Sequence, residues 1–397
     1  MIRNIATVTV ITLALSQIAH ADDVIPSARV TSSVIVRRQP DTSSDEVGRL
    51  RPGDRAALIQ NIPRWREIRL SDNQTGFVSK SWTEVVGSST TLAARTQNEL
   101  RVHFLNTGSG TCVVVECPGA DAVPMIIDCG SSKRTDTEMT AEQSRDYIAA
   151  IVGTNKPNLV LSHGDLDHYS LIPLVLANID VDHVWQGGAP DSYSEAGFPD
   201  WLTAQTAGGA TLHAGLDADW HNGGDAVADL RCGLASTYVL TVNAGSSKNA
   251  NSLVLAIEYQ EFTAIFTGDA EGTTETRARE NFSNAVKATV LAGSHHGAST
   301  RSSNSARWAQ ATDPDIVVYT AGDQYGHPRC QAVERYTPNA STQYHDFRCG
   351  TSNTSYNDSP TTRAEYVTHS NGTIVITSDG SSIPTVHCTQ SDTCGLR

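Results

Sequence analysis

The sequence predicts a layered α/β domain that follows a small β-barrel, and three observations carry this. Residues 28–86 read as short strands with alternating apolar positions, broken by turn residues at close intervals, which is the pattern of a small barrel. From Leu100 to about Ser378, β-runs alternate with helical stretches, the pattern of stacked layers. Between the two, residues 87–98 are polar and lack apolar periodicity, so they read as a linker.

At the start of the chain, Arg3 precedes an apolar run that ends in Ala19-His20-Ala21. A charged residue, an apolar segment and a small-x-small site are the parts of a secretory signal peptide over 1–21, so the mature protein is expected to be periplasmic or secreted. No other stretch is long and apolar enough to span a bilayer, so no membrane span is expected after cleavage. The eight cysteines suit an oxidising compartment and suggest disulfides. Spacing suggests Cys388 with Cys394 and Cys330 with Cys349, although spacing leaves connectivity open. There is no Cys-x-x-Cys pair, which argues against a thiolate zinc knuckle.

Within 28–86, Val34-Ile35-Val36-Arg37 leads to Gln39-Pro40, and Gly48-Arg-Leu50 leads to Pro52-Gly53-Asp54. The strand Trp65–Leu70 then precedes Asp72-Asn73 and Gly76-Phe77-Val78. This order resembles a bacterial SH3 domain, with Val36-Arg37 lacking the usual preceding Asn and Phe77 in place of a Trp. The resemblance implies a possible cell-wall ligand, or else a structural cap. The segment holds ten Lys/Arg against seven Asp/Glu, in a chain of net charge −14. A basic accessory segment would suit an anionic envelope polymer. The acidic body argues against tight non-specific nucleic-acid binding, but not against a nuclease whose metals supply the local positive field.

The body opens with Arg101–Leu105 and Thr111–Glu116, joined by Gly108-Ser-Gly110, and continues through Pro124–Ile127 into Asp128-Cys129-Gly130. Residues 140–152 look helical. The short apolar strand Asn158–Leu161 runs at once into Ser162-His163-Gly164-Asp165-Leu166-Asp167-His168. Four potential ligands within six residues, at the end of a buried strand, would repel one another unless a cation compensated them. The competing reading, a solvated loop with two incidental histidines, leaves that crowding unexplained. Three later strands repeat the arrangement: Thr263–Thr267 ends at Gly268-Asp269, Thr289–Ala292 at Ser294-His295-His296-Gly297, and Ile316–Tyr319 leads to His327-Pro328. Each is weak alone, but all deliver polar residues at C-terminal strand ends, where α/β sites usually lie. Residues 341–362 read as a polar, loop-rich insertion.

The order of these motifs, with Asn249-Ala-Asn251-Ser252-Leu-Val-Leu255, Thr267–Glu271 and Asn371–Ile374, resembles the ComEC-like branch of the metallo-β-lactamase-fold hydrolases. That resemblance implies a metallo-β-lactamase αββα sandwich over 99–380 and a C-terminal tail over 381–397. It implies two divalent metal ions, zinc or manganese, held by His163, Asp165, Asp167, His168, Asp269 and His295. It gives catalytic roles to Asp167, to His296 toward a substrate oxygen, and to His327 at the phosphate or leaving group. His295 and His296 could exchange roles. Asp128 would support the ligand loop from behind.

The chain departs from the common pattern in three places. Asp165 stands where many members have a second His, which makes one site richer in carboxylate and shifts preference from zinc alone toward manganese or a mixed centre. The nearest histidine before Asn251-Ser252 is His221, in a Gly/Asp-rich loop. Tyr169-Ser170 replaces the usual small pair after the motif, on the expected substrate side. The function implied is an exported phosphodiesterase that uses a metal-activated water on nucleic acid or a phosphate-bearing envelope polymer. The alternatives are another hydrolase of that fold, acting on a β-lactam, thioester or lactone, and a non-catalytic envelope-binding protein.

Overall fold

A computed structural model describes residues 23–389, apart from 28–29, 63–64, 87–94, 134–137, 217–225, 228 and 283–285. The expected signal peptide, most of the linker, His221 and Cys394 lie outside the described residues. The chain forms two compact units that divide at residues 94/95.

The N-terminal unit is a seven-stranded sheet whose pairings are all antiparallel. Alternation does the work here: Val34 and Val36 point inward from the strand Val34–Arg37, and they join Leu50, Ile68 and Val78 in one apolar core. Gly76 has to be glycine, because a Cβ there would stand 2.6 Å from Val36 Cγ1 and 2.9 Å from the Arg37 carbonyl oxygen. The unit begins earlier than residue 28. Asp23–Pro26 is a strand between Ala56–Ile62 and Thr83–Val86, with Val24 in the core.

The second unit has two sheets. One has eight strands, in the order Thr211–His213, His183–Gln186, Asn158–Leu161, Met125–Cys129, Cys112–Glu116, Leu100–Phe104, Ile374–Ser378 and Thr385–Cys388. The other has six: Ser236–Thr241, Val254–Tyr259, Phe262–Phe266, Val290–Ala292, Ile316–Tyr319 and Glu365–Val367. Val113 and Val115 pack toward the second sheet, in a core with Leu255, Phe266 and Val318. Val114, between them, faces the helices with Ile148, Ile172 and Phe198. Beyond the second sheet, Ala278 and Trp308 close the other side against Ile265 and Val317. The layers are therefore helix, sheet, sheet, helix. Strands buried on both faces explain why these runs are continuously apolar.

Two expectations change. The tail after 380 is not free of the fold, because Thr385–Cys388 pairs with Ile374–Ser378 at the sheet edge. The 341–362 insertion contains two short antiparallel ladders, Ala340–His345 with Thr361–Arg363 and Arg348–Gly350 with Tyr356–Asp358. Disulfides join Cys112–Cys129, Cys117–Cys232 and, as spacing suggested, Cys330–Cys349. Cys388 is also disulfide-bonded. Among the described residues, no helix is long and apolar enough to cross a membrane.

The topology fixes where a site can form. Met125–Cys129 and Asn158–Leu161 run parallel, as do Phe262–Phe266, Val290–Ala292 and Ile316–Tyr319. Parallel strands bring their C-terminal ends to a common edge, and the motif residues follow those ends.

Candidate metal centre

The loop after Asn158–Leu161 is held from behind by Asp128. Its carboxylate accepts from the Ser162 backbone N–H at 2.7 Å, the Ser162 hydroxyl at 2.6 Å and His168 Nδ1 at 2.8 Å. Gly130 lets the neighbouring strand come close, since a Cβ there would stand 2.4 Å from the Asp167 carbonyl carbon. These contacts fix the imidazoles. His168 Nδ1 gives its proton to a carboxylate, so Nε2 keeps its lone pair for the site. The Ser162 hydroxyl proton goes to Asp128, so Ser162 Oγ accepts from His163 Nδ1 at 3.1 Å, and His163 Nε2 is likewise left with a lone pair.

Asp269 lies opposite, buried, with its backbone N–H donating to the Ser252 hydroxyl at 3.1 Å. One carboxylate oxygen stands 3.1 Å from His168 Nε2 and 3.4 Å from His296 Nε2. The other stands 3.3 Å from His295 Nε2 and 3.8 Å from His163 Nε2. His296 Nε2 is also 3.5 Å from Asp167, and His163 Nε2 is 3.5 Å from Asp165.

The two adjacent histidines diverge because the backbone turns sharply. His295 and His296 have φ of 51° and 54°, in the left-handed region that non-glycine residues seldom occupy. Such strain costs about 1–3 kcal/mol per residue and must be held by surrounding contacts. Buried Asn304 supplies them, its amide donating to the Ser294 and Ala298 carbonyls, each at 2.7 Å. Glu275 in turn accepts the Asn304 backbone N–H at 2.6 Å. His296 Nδ1 donates to the Thr320 carbonyl at 2.8 Å, which leaves its Nε2 lone pair facing inward.

Two sets of donor atoms each lie within 4.8 Å of one another: His163, His168 and Asp269, and Asp167, His168 and His296. Buried His163 Nε2 and Asp269 Oδ1 have no hydrogen-bond partner. Imidazole nitrogens converging on the oxygens of a buried carboxylate fit divalent cations, and the Asn249 amide stands at the edge of this set, 3.3 Å from Asp269 Oδ2 and from His295 Nε2. Burial pushes the Asp269 carboxyl up, but His295, His168 and His296 around it hold it well below the usual range. His163 holds the Asp165 carboxyl down at about 2, with Lys248 assisting. Burial and the neighbouring His296 and His295 bring His327 down to about 3, so it stays neutral near physiological pH.

Each residue expected at the centre is brought to it, but in a different division. His296, expected to face substrate, is the one grouped with Asp167 and His168, while His295 meets the far oxygen of Asp269. Asp165 is at the rim, half-exposed, where Lys248 Nζ reaches it at 3.2 Å and the Gly164 carbonyl at 2.9 Å. His327 stands beside the pair, its ring centroid 5.7 Å from His295 and 6.2 Å from His296. Tyr169 does not shape a substrate surface; it is buried under the helices against Tyr193 and Phe198. Lys248, Glu275, Asn304 and Thr320 were not anticipated. Lys248, flanking Asn249–Ser252, and Thr320, at the end of Ile316–Tyr319, sit beside motifs that could have signalled them.

Residues 32–84 match the bacterial SH3 domain family. No curated protein sequence matches the chain. Among solved structures, the chain is similar to CmlA, a diiron β-hydroxylase from Streptomyces venezuelae, at 15% identity and a TM-score of 0.35, covering 56% of this chain and 44% of that one. It is similar to a point mutant of the CmlA β-hydroxylase at 15% identity and a TM-score of 0.36, covering 56% and 46%. The chain thus spans less than half the length of either.

Proposed function

We propose that this protein is an exported metal-dependent hydrolase of the metallo-β-lactamase fold, ComEC-like in its motif order, that cleaves phosphodiesters. The observation that carries the reading is Asp269, whose two carboxylate oxygens face separate histidine pairs, His168 with His296 and His163 with His295. A carboxylate so placed would serve two cation sites. One would draw on Asp167, His168 and His296, and the other on His163, His295 and Asp165. Zinc or manganese held there would supply positive charge for phosphoryl oxygens and lower the pKa of water.

The chain's own residues do the rest. Asp128, Ser162 and the Thr320 carbonyl fix the tautomers, so that three Nε2 lone pairs face inward without reorganisation. Neutral His327, next to the His295-His296 pair, is placed to hold a substrate oxygen or to move a proton at the leaving group. The three disulfides among the described residues, the further bonded Cys388 and a start resembling a signal peptide support export. The SH3 unit would then hold the enzyme to an anionic envelope polymer.

The test is hydrolysis of bis-p-nitrophenyl phosphate and of DNA by protein reconstituted with manganese or zinc, with nitrocefin as the competing substrate. Phosphodiester cleavage should be lost with chelator and fall to background in Asp269→Ala. Nitrocefin turnover without phosphodiester cleavage, or activity indifferent to Asp269→Ala, would refute the reading.

A further inference from the structure

Beside the loop that carries Asp269 lies a cavity of about 530 Å³ whose charged lining is mainly cationic. Arg277, Arg279, Arg301 and Arg307 line it, with Thr273 and Ser305 between them and Glu280 as its acidic member. The chain as a whole carries −14. Four guanidinium groups around one hollow repel one another, so the cluster needs a reason beyond solubility. Arg301 is partly answered by Glu271, at 3.0 Å. Arg277 and Arg307 have no ion-pair partner among the described residues and are exposed.

The cavity is built along one helix. Gly272 and Thr273, which line the cavity, begin the helix Gly272–Asn281, and its N-cap Glu271 makes no side-chain cap hydrogen bond. The hollow follows this helix from its first residues to Arg279 and Glu280 in its last turn. The cavity is also close to the centre. Gly272 lies three positions after Asp269, so their Cα atoms are at most about 11 Å apart.

We infer that this cavity is a phosphate subsite, which holds a second phosphate of the same chain whose scissile phosphodiester lies at the metal centre. The inference rests on the phosphodiesterase reading for the identity of the ligand. Guanidinium groups suit it because they grip phosphate oxygens in a planar, bidentate fork, and they remain charged at any physiological pH. The ligand chemistry is a phosphodiester chain with regularly spaced charges; nucleic acid and poly(glycerol phosphate) share it.

The experiment separates the subsite from the hydrolysis. Full-length protein in excess chelator is titrated into a labelled single-stranded oligonucleotide and, separately, into labelled poly(glycerol phosphate), with fluorescence anisotropy as the readout. In the arm that binds, Arg277→Ala/Arg307→Ala should raise Kd about tenfold or more. For the oligonucleotide, the slope of log K against log salt should become shallower by about 0.7 for each phosphate that the variant no longer neutralises. Lys287→Ala, which removes an exposed cation paired with Asp313, should change neither value. Arginine-dependent binding in either arm supports the subsite, and the arm in which it occurs names the source. No binding by the parent in either arm, or equal binding by parent and double variant, overturns it. Restoring metal then scores cleavage separately: intact arginine-dependent binding with no cleavage of either polymer would refute the hydrolase and leave the subsite standing.

Discussion

The loop His163–His168 and the turn Ser294–Gly297 both bring histidines to Asp269, but they are held by different physics. The first follows a regular strand and is braced by a buried carboxylate, Asp128, which takes three hydrogen bonds at once. The second bends through two left-handed residues and is braced by the neutral amide of Asn304, itself seated on Glu275. A charged brace sets proton positions on the rings, whereas an amide brace sets the path of the backbone. Damage to one should therefore appear chiefly in metal affinity, and damage to the other chiefly in stability.

The largest effect belongs to the amide. Asn304→Ala removes the partner of the Ser294 and Ala298 carbonyls and of the Tyr336 hydroxyl, all buried. Leaving such groups unsatisfied costs about 1–3 kcal/mol each, so a loss of about 4 kcal/mol is expected after partial relaxation. Urea denaturation of the metal-free protein measures it. A variant within about 1 kcal/mol of the parent would mean that the turn is held by something else.

Glu275 gives the next effect, and it depends on pH. Burial pushes its carboxyl up to about 7, against the donors Ser305 and Asn304 that draw it down, from an ordinary 4.5. Between those values the folded protein holds a proton that the unfolded chain has released. Stability therefore falls as pH rises from 4.5 to 7 and levels off above, by about 3 kcal/mol in total from this group. Glu365, also raised to about 7 by burial, adds a similar slope, so the informative quantity is the difference between parent and Glu275→Gln. The variant should be less stable at low pH, through a lost hydrogen bond, and should lack that part of the slope. Parallel stability curves for parent and variant would show that Glu275 is ionised throughout.

The same contrast explains what the sequence could disclose. His163–His168 was legible because spacing alone crowds four ligands behind a buried strand. The Ser294–Gly297 turn was legible as a motif, but the roles of its histidines were not. Positive φ at both residues sends the rings to opposite oxygens of Asp269, and no local pattern announces that. Asn304 and Glu275 act across 10 and 29 residues of separation, inside stretches that read as ordinary polar sequence. In the fold, the valines of Cys112–Glu116 announced a strand buried on both faces. The strands Asp23–Pro26 and Thr385–Cys388 are short, and they owe their place to pairing rather than to their own periodicity.

The smallest effect on stability, and the sharpest on chemistry, comes from Asp128→Asn. Asp128 sits at φ 54°, which Asn tolerates at least as well, so the substitution brings no backbone strain of its own. One amide oxygen can still accept from the Ser162 backbone, which preserves the loop. The amide NH2 would then face His168 Nδ1, however, and a donor there makes Nδ1 the acceptor and places the proton on Nε2, facing Asp269. Loss of such a partner typically weakens metal affinity 10–100-fold, while the thermal midpoint of the metal-free protein should move little. Competition against a chromophoric chelator reads the affinity. His296 offers no equivalent test, because its Nδ1 partner is the Thr320 backbone carbonyl, which substitution cannot remove. If Asp128→Asn bound metal as tightly as the parent, the two loops would differ only in shape, and proton placement by Asp128 would have no part in the centre.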